Sequence, residues 1–158
     1  MTDRYYEDFK VGERFTSGGL TMTEAGIVEF ARQWDPQPFH IDAEFAKKWT
    51  YGGLIASGLH TMSVTLRLWL DLGIFRACSL GSPGIGEVQF ARPVRPGDTL
   101  RVVTDIVELR LSASKSDRGI ARVRQVTINQ RGEAVLEQET IVFLKRRPVL
   151  AANLSLRS

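Results

Sequence analysis

One stretch near the middle of the chain, residues 57–72, restricts the possible folds more than any other. Its apolar residues lie nearly all around a predicted helix, and Arg67 and Asp71 are its only charged residues. The apolar set is Leu59, Met62, Val64, Leu66, Leu68, Trp69, Leu70 and Leu72. A helix that is apolar on most faces is buried on most faces, and this one is shorter than the roughly 20 residues that cross a bilayer. We therefore expect it to form the core of a globular domain.

The residues after this helix have the two-residue periodicity of β-strands. Strands are predicted from residue 84 onward, then over about 99–111, 119–130 and 133–145, with a hairpin turn at 130–133. One long buried helix against a strongly bent antiparallel sheet is an α+β arrangement. Such a sheet needs cover on its other face or its edge strand, which predicts a dimer.

The residues before the long helix predict two shorter helices. Residues 5–22 form a loop with short extended pieces, and Thr23 can cap a helix that runs to about Gln33. The buried stripe of that helix consists of Ile27, Phe30 and Ala31. Asp42 can cap a second helix over residues 43–48.

Between these two helices, the segment Trp34-Asp-Pro-Gln-Pro-Phe-His40 holds one of the chain's two histidines, five residues after an acid. Proline fixes its own φ and disfavours the helical conformation of the residue before it, so we expect a stiff, non-helical loop. A carboxylate and an imidazole held together can bind and activate a water molecule. By themselves, Asp35 and His40 fit a purely structural role in a turn better than a catalytic one.

Composition and charge limit the range of possible functions. The 158 residues, 43% hydrophobic and 25% charged, predict one domain over 1–158, and Cys78 as the single cysteine indicates a reducing compartment. We expect a cytoplasmic protein, since the first residues are charged and no apolar run is long enough for a membrane span. The net charge of +3 comes from a basic tail at about 145–158, expected to be solvated, which holds four of the 21 basic residues and no acid. The other 17 basic residues stand against 18 acidic ones, so no nucleic-acid partner is expected.

Three motifs together resemble the MaoC-like dehydratase family, whose best-known members are the (R)-specific (type-2) enoyl-CoA hydratases. The segment Trp34–Asp42 is similar to the hydratase signature, Gly53–His60 to the small-residue start of the central helix, and Phe90–Leu100 to a strand-and-turn motif. The resemblance implies a hot-dog fold, in which a curved antiparallel β-sheet wraps a long central helix. It also implies a homodimer or a dimer of dimers, with acyl thioesters of coenzyme A bound near the dimer interface.

The resemblance further implies a reaction and its residues. The reaction is the reversible hydration of a trans-2-enoyl-CoA to a 3-hydroxyacyl-CoA, with coenzyme A as part of the substrate and no separate cofactor. The catalytic pair maps onto Asp35 and His40, and the oxyanion donor onto the backbone N–H of Gly58. Substrate contacts are expected from Gln37, Phe39 and Ser57. The hydratases commonly have asparagine at the position of Gln37 and often histidine at that of Ser57, so the acyl-chain preference does not follow from the resemblance.

Other interpretations stay open at this point. The same fold hosts thioesterases, and a non-catalytic acyl-CoA-binding subunit is a third hypothesis. His60 is expected to be a core histidine with satisfied hydrogen bonds, and no metal site is expected from two histidines and one cysteine. Arg92 and Arg95 are interpreted as solvated residues of a bend, with contacts to coenzyme A phosphates as the alternative.

Overall fold

The helices lie in the first half of the chain. The computed structural model describes residues 3–148, and within them a 3₁₀ turn at Tyr6–Asp8 precedes four α-helices. These helices are α1 (Glu24–Trp34), α2 (Pro38–Ile41), α3 (Ala43–Lys47) and α4 (Gly58–Asp71). Over residues 3–148, no helix has both the length and the apolar character that crossing a membrane requires.

The predicted helix starts are confirmed by their caps. The Thr23 hydroxyl accepts from the Gly26 N–H at 3.1 Å, and the Asp42 carboxylate accepts from the Phe45 N–H at 3.0 Å. Each bond satisfies a backbone donor that has no partner inside its helix. In α1, Ile27 and Ala31 are fully buried, as their spacing predicts.

Six antiparallel strands form the sheet. They are β1 (Arg14–Thr16), β2 (Leu20–Thr21), β3 (Gly84–Gln89), β4 (Thr99–Leu111), β5 (Arg118–Ile128) and β6 (Ala134–Lys145). The order across the sheet is β1-β4-β5-β6-β3, and β2 also pairs with β4. The three long predicted strands are confirmed to within a few residues, and Gly132, with φ +76°, supplies the left-handed residue of the predicted hairpin turn.

Helix α4 packs against the inner face of this sheet. Its buried residues are Thr61, Val64, Thr65, Leu68 and Trp69. Val64 and Leu68 join an apolar cluster with Leu100 and Val102 of β4, while Trp69 joins a second cluster with Ile106. A curved antiparallel sheet around one central helix confirms the predicted α+β hot-dog fold.

The other side of α4 differs from the prediction. Leu59, Leu66 and Leu70 are exposed by 53%, 48% and 60%, so burial of the helix on most faces is wrong for the single chain. The physical reason is that one sheet covers only one side of a helix. The homodimer stays a prediction.

The beginning of the predicted basic tail belongs to the fold. Lys145 ends β6, Arg146 pairs with Glu7 at 2.8 Å, and Arg147 pairs with Asp8 at 2.6 Å. Acidic residues of the 3₁₀ turn, 139 positions earlier in the chain, thus hold the two arginines. Both side chains still have a large exposed fraction, as expected of a solvated tail, but ion pairs hold them to the 3₁₀ turn. Residues 149–158 lie outside the described part.

Candidate active site

The segment between α1 and α3 is more helical than its prolines predict. Helix α1 ends at Trp34, and the N–H of its C-cap residue Asp35 still donates to the Ala31 carbonyl at 2.8 Å. Gln37 is extended, as expected before a proline, but Pro38 then begins the short helix α2, which carries His40. The expected non-helical loop is therefore limited to residues 35–37. Proline fits the first position of a helix because that position needs no N–H donor and because its fixed φ is helical.

His40 is held by a backbone carbonyl from a distant part of the chain. Its side chain is only 5% exposed, and Nδ1 lies 2.8 Å from the Ile55 carbonyl oxygen. A carbonyl can only accept, so Nδ1 carries the proton and Nε2 of the neutral ring has a free lone pair. The Ile55 N–H in turn donates to the Phe39 carbonyl at 3.3 Å. These two bonds fix α2 against the segment that leads into α4.

Asp35 converges on the other ring nitrogen of His40. Its Oδ2 atom lies 3.4 Å from His40 Nε2. The Ser57 hydroxyl donates to the same oxygen at 2.7 Å, and the Gln37 amide donates to Oδ1 at 2.8 Å. Burial acts to raise the pKa of Asp35, but these two hydrogen bonds and the charge of His40 outweigh burial and lower the pKa. The site therefore holds Asp35 as a carboxylate.

Ser57 lies behind Asp35. The residue is fully buried, and its hydroxyl also accepts from the Leu59 N–H at 3.2 Å as the N-cap of α4. Both of these bonds are to protein atoms, which assigns Ser57 to holding Asp35 and capping the helix. The expected contact between Ser57 and substrate stays untested.

The remaining predicted residues line one cavity. A cavity of about 360 Å³ is bordered by Asp35, Gln37, Phe39, His40 and Gly58. Gly58 is the first residue of α4, so its N–H has no acceptor within the helix and lies at the helix's partially positive end. The structure thus brings a carboxylate, an imidazole and the start of the central helix to one cavity.

Phe90 is a site residue that sequence reasoning did not single out. A Cβ atom placed on Gly58 would lie 2.7 Å from the Phe90 ring, so this ring occupies the space that a side chain would take. Phe90 follows β3, is 56% exposed, and lines the same cavity. Its place in the strand-and-turn motif was visible in the sequence, but its contact with Gly58 has no sequence signal because the two residues are far apart in the chain.

His60 differs from its predicted state. Its ring stacks on Phe30 with centroids 4.5 Å apart, and its Nδ1 atom is buried without a hydrogen-bond partner among residues 3–148. Burial lowers the pKa of His60, so the neutral ring is favoured. The expectation of satisfied hydrogen bonds is wrong for Nδ1, while the assignment to packing between α1 and α4 agrees with the stacking.

The described residues contain no cluster of side chains that could bind a metal ion. Across residues 3–148, no three His, Cys, Asp or Glu side chains are grouped so that they could hold a metal ion. At the site itself, Asp35 and His40 are two such ligands, fewer than the three protein ligands of a catalytic zinc site.

Fold and site together define a hot-dog protein with an acid–imidazole pair at the start of its central helix. Comparison with known families gives the same class, because the MaoC like domain matches residues 9–129. The chain belongs to the MaoC-like dehydratase family. Hydratase and dehydratase activity is the general function that this family membership supports.

Two proteins match nearly their whole length. A solved MaoC-like dehydratase from Rhodospirillum rubrum is 39% identical, with a TM-score of 0.86 and coverage of 93% of this chain and 100% of that one. The uncharacterized protein YdeM of Bacillus subtilis is 30% identical over 140 residues, which cover 89% of this chain and 98% of that protein.

A third similar protein has a defined activity. Mesaconyl-CoA hydratase of Cereibacter sphaeroides is 26% identical over 165 residues, covering 94% of this chain but 43% of the hydratase. The chain therefore spans less than half of that protein.

Proposed function

We propose that this protein catalyses the reversible hydration of a trans-2-enoyl-CoA to a 3-hydroxyacyl-CoA. The observation that carries the proposal is the convergence of Asp35 Oδ2 and His40 Nε2, 3.4 Å apart, at a cavity that also reaches Gly58. Such an arrangement suits the addition of water to an activated double bond, which needs a proton acceptor, a proton donor and an oxyanion donor.

The acid and the imidazole suit the binding of a water molecule. When His40 is neutral, Nε2 and the Asp35 carboxylate are both hydrogen-bond acceptors that face each other. A water that donates one hydrogen bond to each would relieve their repulsion and be polarised for attack on C3. The same two groups can return a proton to C2, and either can be the first acceptor. General acid–base catalysis of this kind contributes about 10²–10⁴-fold.

The start of α4 suits the charge that develops on the thioester oxygen. The Gly58 N–H has no acceptor within the helix, and the helix dipole favours negative charge at this end. Loss of one preorganised donor of this kind typically costs about 10²–10³-fold in kcat. The Phe90 ring lies beside this donor and would form one wall for the thioester.

The similar proteins support a coenzyme A thioester as substrate. The hydratase from Cereibacter sphaeroides is named for an enoyl thioester of coenzyme A, and the alignment covers 94% of this chain. The similarity to the MaoC-like dehydratase of Rhodospirillum rubrum supports the same reaction class in the reverse direction.

The test is a hydration assay on catalytic variants. Asp35→Asn and His40→Ala should each lower kcat/KM by about 10²-fold or more, because each change removes one side of the water site. The loss of enoyl absorbance is followed across a panel of enoyl-CoA chain lengths. Asp42→Asn is a matched control, since Asp42 caps α3 and its side chain does not border the cavity. Near-normal turnover by either site variant, with the fold retained by circular dichroism, would contradict the proposal.

The same reactions separate the alternatives. A thiol reagent reports free coenzyme A, so thiol release in step with absorbance loss would favour a thioesterase. Tight binding of enoyl-CoA without turnover at any chain length would favour an acyl-CoA-binding subunit. Hydration without thiol release is the expected result.

A further inference from the structure

Two arginines on the segment that borders the active-site cavity differ from most others among residues 3–148, because they have no ion-pair partner there. Of the fifteen arginines in residues 3–148, ten have a carboxylate within 4.0 Å. Arg92 and Arg95 are exposed and are not among the ten. Both lie on the segment between β3 and β4 that carries cavity residues Pro93 and Val94.

Each of the two guanidinium groups is held by a backbone carbonyl. Arg92 borders the cavity, and its Nη1 donates to the Ala134 carbonyl at 3.2 Å. Arg95 Nη2 donates to the carbonyl of Tyr51, another cavity residue, at 2.6 Å. A guanidinium has five N–H donors, so each group keeps most of its donors and its full charge for a further ligand.

Glu133 feels the charge of Arg92 but already accepts hydrogen bonds from other side chains. The charge of Arg92 contributes to the lowered pKa of Glu133, behind the hydrogen bonds that Glu133 accepts from Asn129 and Arg131. Those bonds are 2.8 and 2.9 Å long, whereas Arg92 makes no ion pair with Glu133 within 4.0 Å. Inside the cavity, Asp35 is engaged by Ser57, Gln37 and His40.

The backbone that carries the two arginines is fixed. The buried Asp98 carboxylate accepts from the Arg95 N–H at 2.8 Å, and the Ala56 N–H donates to the Val94 carbonyl at 2.8 Å. Pro93 and Pro96 further restrict the segment. The two cations are therefore presented on a fixed turn in the segment that borders the cavity, and both side chains are exposed, as the sequence predicted for this bend.

We propose that Arg92 and Arg95 bind phosphate groups of coenzyme A while the thioester lies at Asp35 and His40. Arginine matches phosphate with paired N–H donors and stays charged at all relevant pH values. The inference rests on the proposed function, since it assumes that the acyl group enters this cavity as a thioester. It assigns recognition of the nucleotide part to the strand-and-turn segment, and acyl chemistry to the start of α4.

The experiment compares two thioesters that carry the same enoyl group. Crotonyl-CoA has phosphates, and crotonyl-N-acetylcysteamine has none. In Arg92→Gln/Arg95→Gln, the KM for crotonyl-CoA should rise about tenfold or more, as expected for lost hydrogen bonds between charged groups, with kcat little changed. The KM for the N-acetylcysteamine thioester should not change. Arg101→Gln is the matched control, because Arg101 is an exposed arginine without a carboxylate partner that lies outside the cavity.

Further arms keep the two proposals separable. Arg95→Lys keeps the charge but loses the paired donors, so its KM for crotonyl-CoA should rise by less than that of the double variant. Equal KM increases for both thioesters would overturn the inference. So would a double variant that loses activity only on an enoyl thioester of an acyl carrier protein. Calorimetric titration with free coenzyme A tests the phosphate site without turnover. Binding that is about tenfold weaker in the double variant supports the site even if hydration fails, and equal binding overturns it.

Discussion

Ser57 offers a prediction whose size follows from the structure and which does not depend on the substrate. Its buried hydroxyl makes two bonds at once, as donor to Asp35 Oδ2 at 2.7 Å and as acceptor from the Leu59 N–H at 3.2 Å. The substitution Ser57→Ala removes both bonds and leaves the volume of the site nearly unchanged. The effects of the two bonds can be separated because only one of them depends on a charge.

The two losses have different magnitudes. The bond to Leu59 is long, so its loss should cost about 0.5–1 kcal/mol, the lower part of the range for N-caps. A hydrogen bond to a charged group contributes about 1.5–3 kcal/mol. The low end applies here, because Asp35 keeps its bond to Gln37 and water can reach its side chain, which is 21% exposed. We expect Ser57→Ala to lower the free energy of unfolding at neutral pH by about 2–2.5 kcal/mol.

The pH dependence of stability identifies the contribution of the hydrogen bond to Asp35. The folded-state pKa of Asp35 is lowered from its ordinary value of 3.8. A group with a lowered folded pKa contributes stability that is present above its unfolded pKa and is lost as the pH falls through its folded pKa. The difference in unfolding free energy between wild type and Ser57→Ala should therefore shrink as the pH falls below the ordinary pKa of an aspartate. At low pH, only the contribution of the helix cap should remain. In catalysis, the acid limb of kcat/KM should move to higher pH, because the variant's carboxylate has lost a stabilising donor.

Urea unfolding at neutral pH and at about pH 3 measures both contributions. Ser63→Ala is the matched control, since the exposed Ser63 hydroxyl donates to the Leu59 carbonyl within the same helix and does not contact Asp35. This control should change stability by less than about 0.5 kcal/mol. A Ser57→Ala effect of the same size at both pH values, together with an unmoved acid limb, would refute the assignment of this hydroxyl to Asp35.

Two further predictions follow from packing. Gly58→Ala places a methyl group 2.7 Å from the Phe90 ring, where carbon atoms normally stay about 3.5–4.0 Å apart, and should lower both stability and hydration. The stability loss should be about 1 kcal/mol, the low end for overpacking, because Phe90 is 56% exposed and can shift. Phe90→Ala in the same chain should recover most of that loss in urea unfolding, and an equal loss with and without the ring would contradict the contact. Burial raises the pKa of Cys78 to about 11, so a thiol reagent should label this residue only as fast as the protein unfolds, and rapid labelling of the folded protein would count against the core packing.

The elements of this fold were predictable where the signal is local. Thr23 and Asp42 cap the helices that their positions predict, and β4, β5 and β6 match the predicted strands to within a few residues. Caps and side-chain alternation involve residues close in sequence, so they can be seen without knowing what packs against them. Helix α2 was missed because a proline at the first helical position resembles a helix breaker until the backbone that follows it is known.

The candidate site was predictable only in its residue types. The five-residue spacing of Asp35 and His40 pointed to an acid–imidazole pair, and both residues border the cavity with Gly58. The spacing did not show that Ser57 bonds Asp35, that Phe90 covers Gly58, or that Arg92 reaches the cavity rim. Those contacts join residues separated by tens of positions, and no pattern in the sequence encodes which side chains meet across such distances.

The amino-acid sequence by itself determined the order of helices and strands, the stiff link that holds Asp35 near His40, and the small residue at the start of α4. Tertiary structure alone decided the protonation state that the site favours and the side of α4 left uncovered. The Ile55 carbonyl, fifteen residues after His40, places the proton on Nδ1, while two hydrogen-bond donors and the charge of His40 keep Asp35 ionised against the effect of burial. Leu59 and Leu70 are as apolar as Leu68 but stay exposed, because a single curved sheet buries one side of a helix. Proton positions and burial depend on neighbours brought together by folding, whereas periodicity depends only on the chain itself.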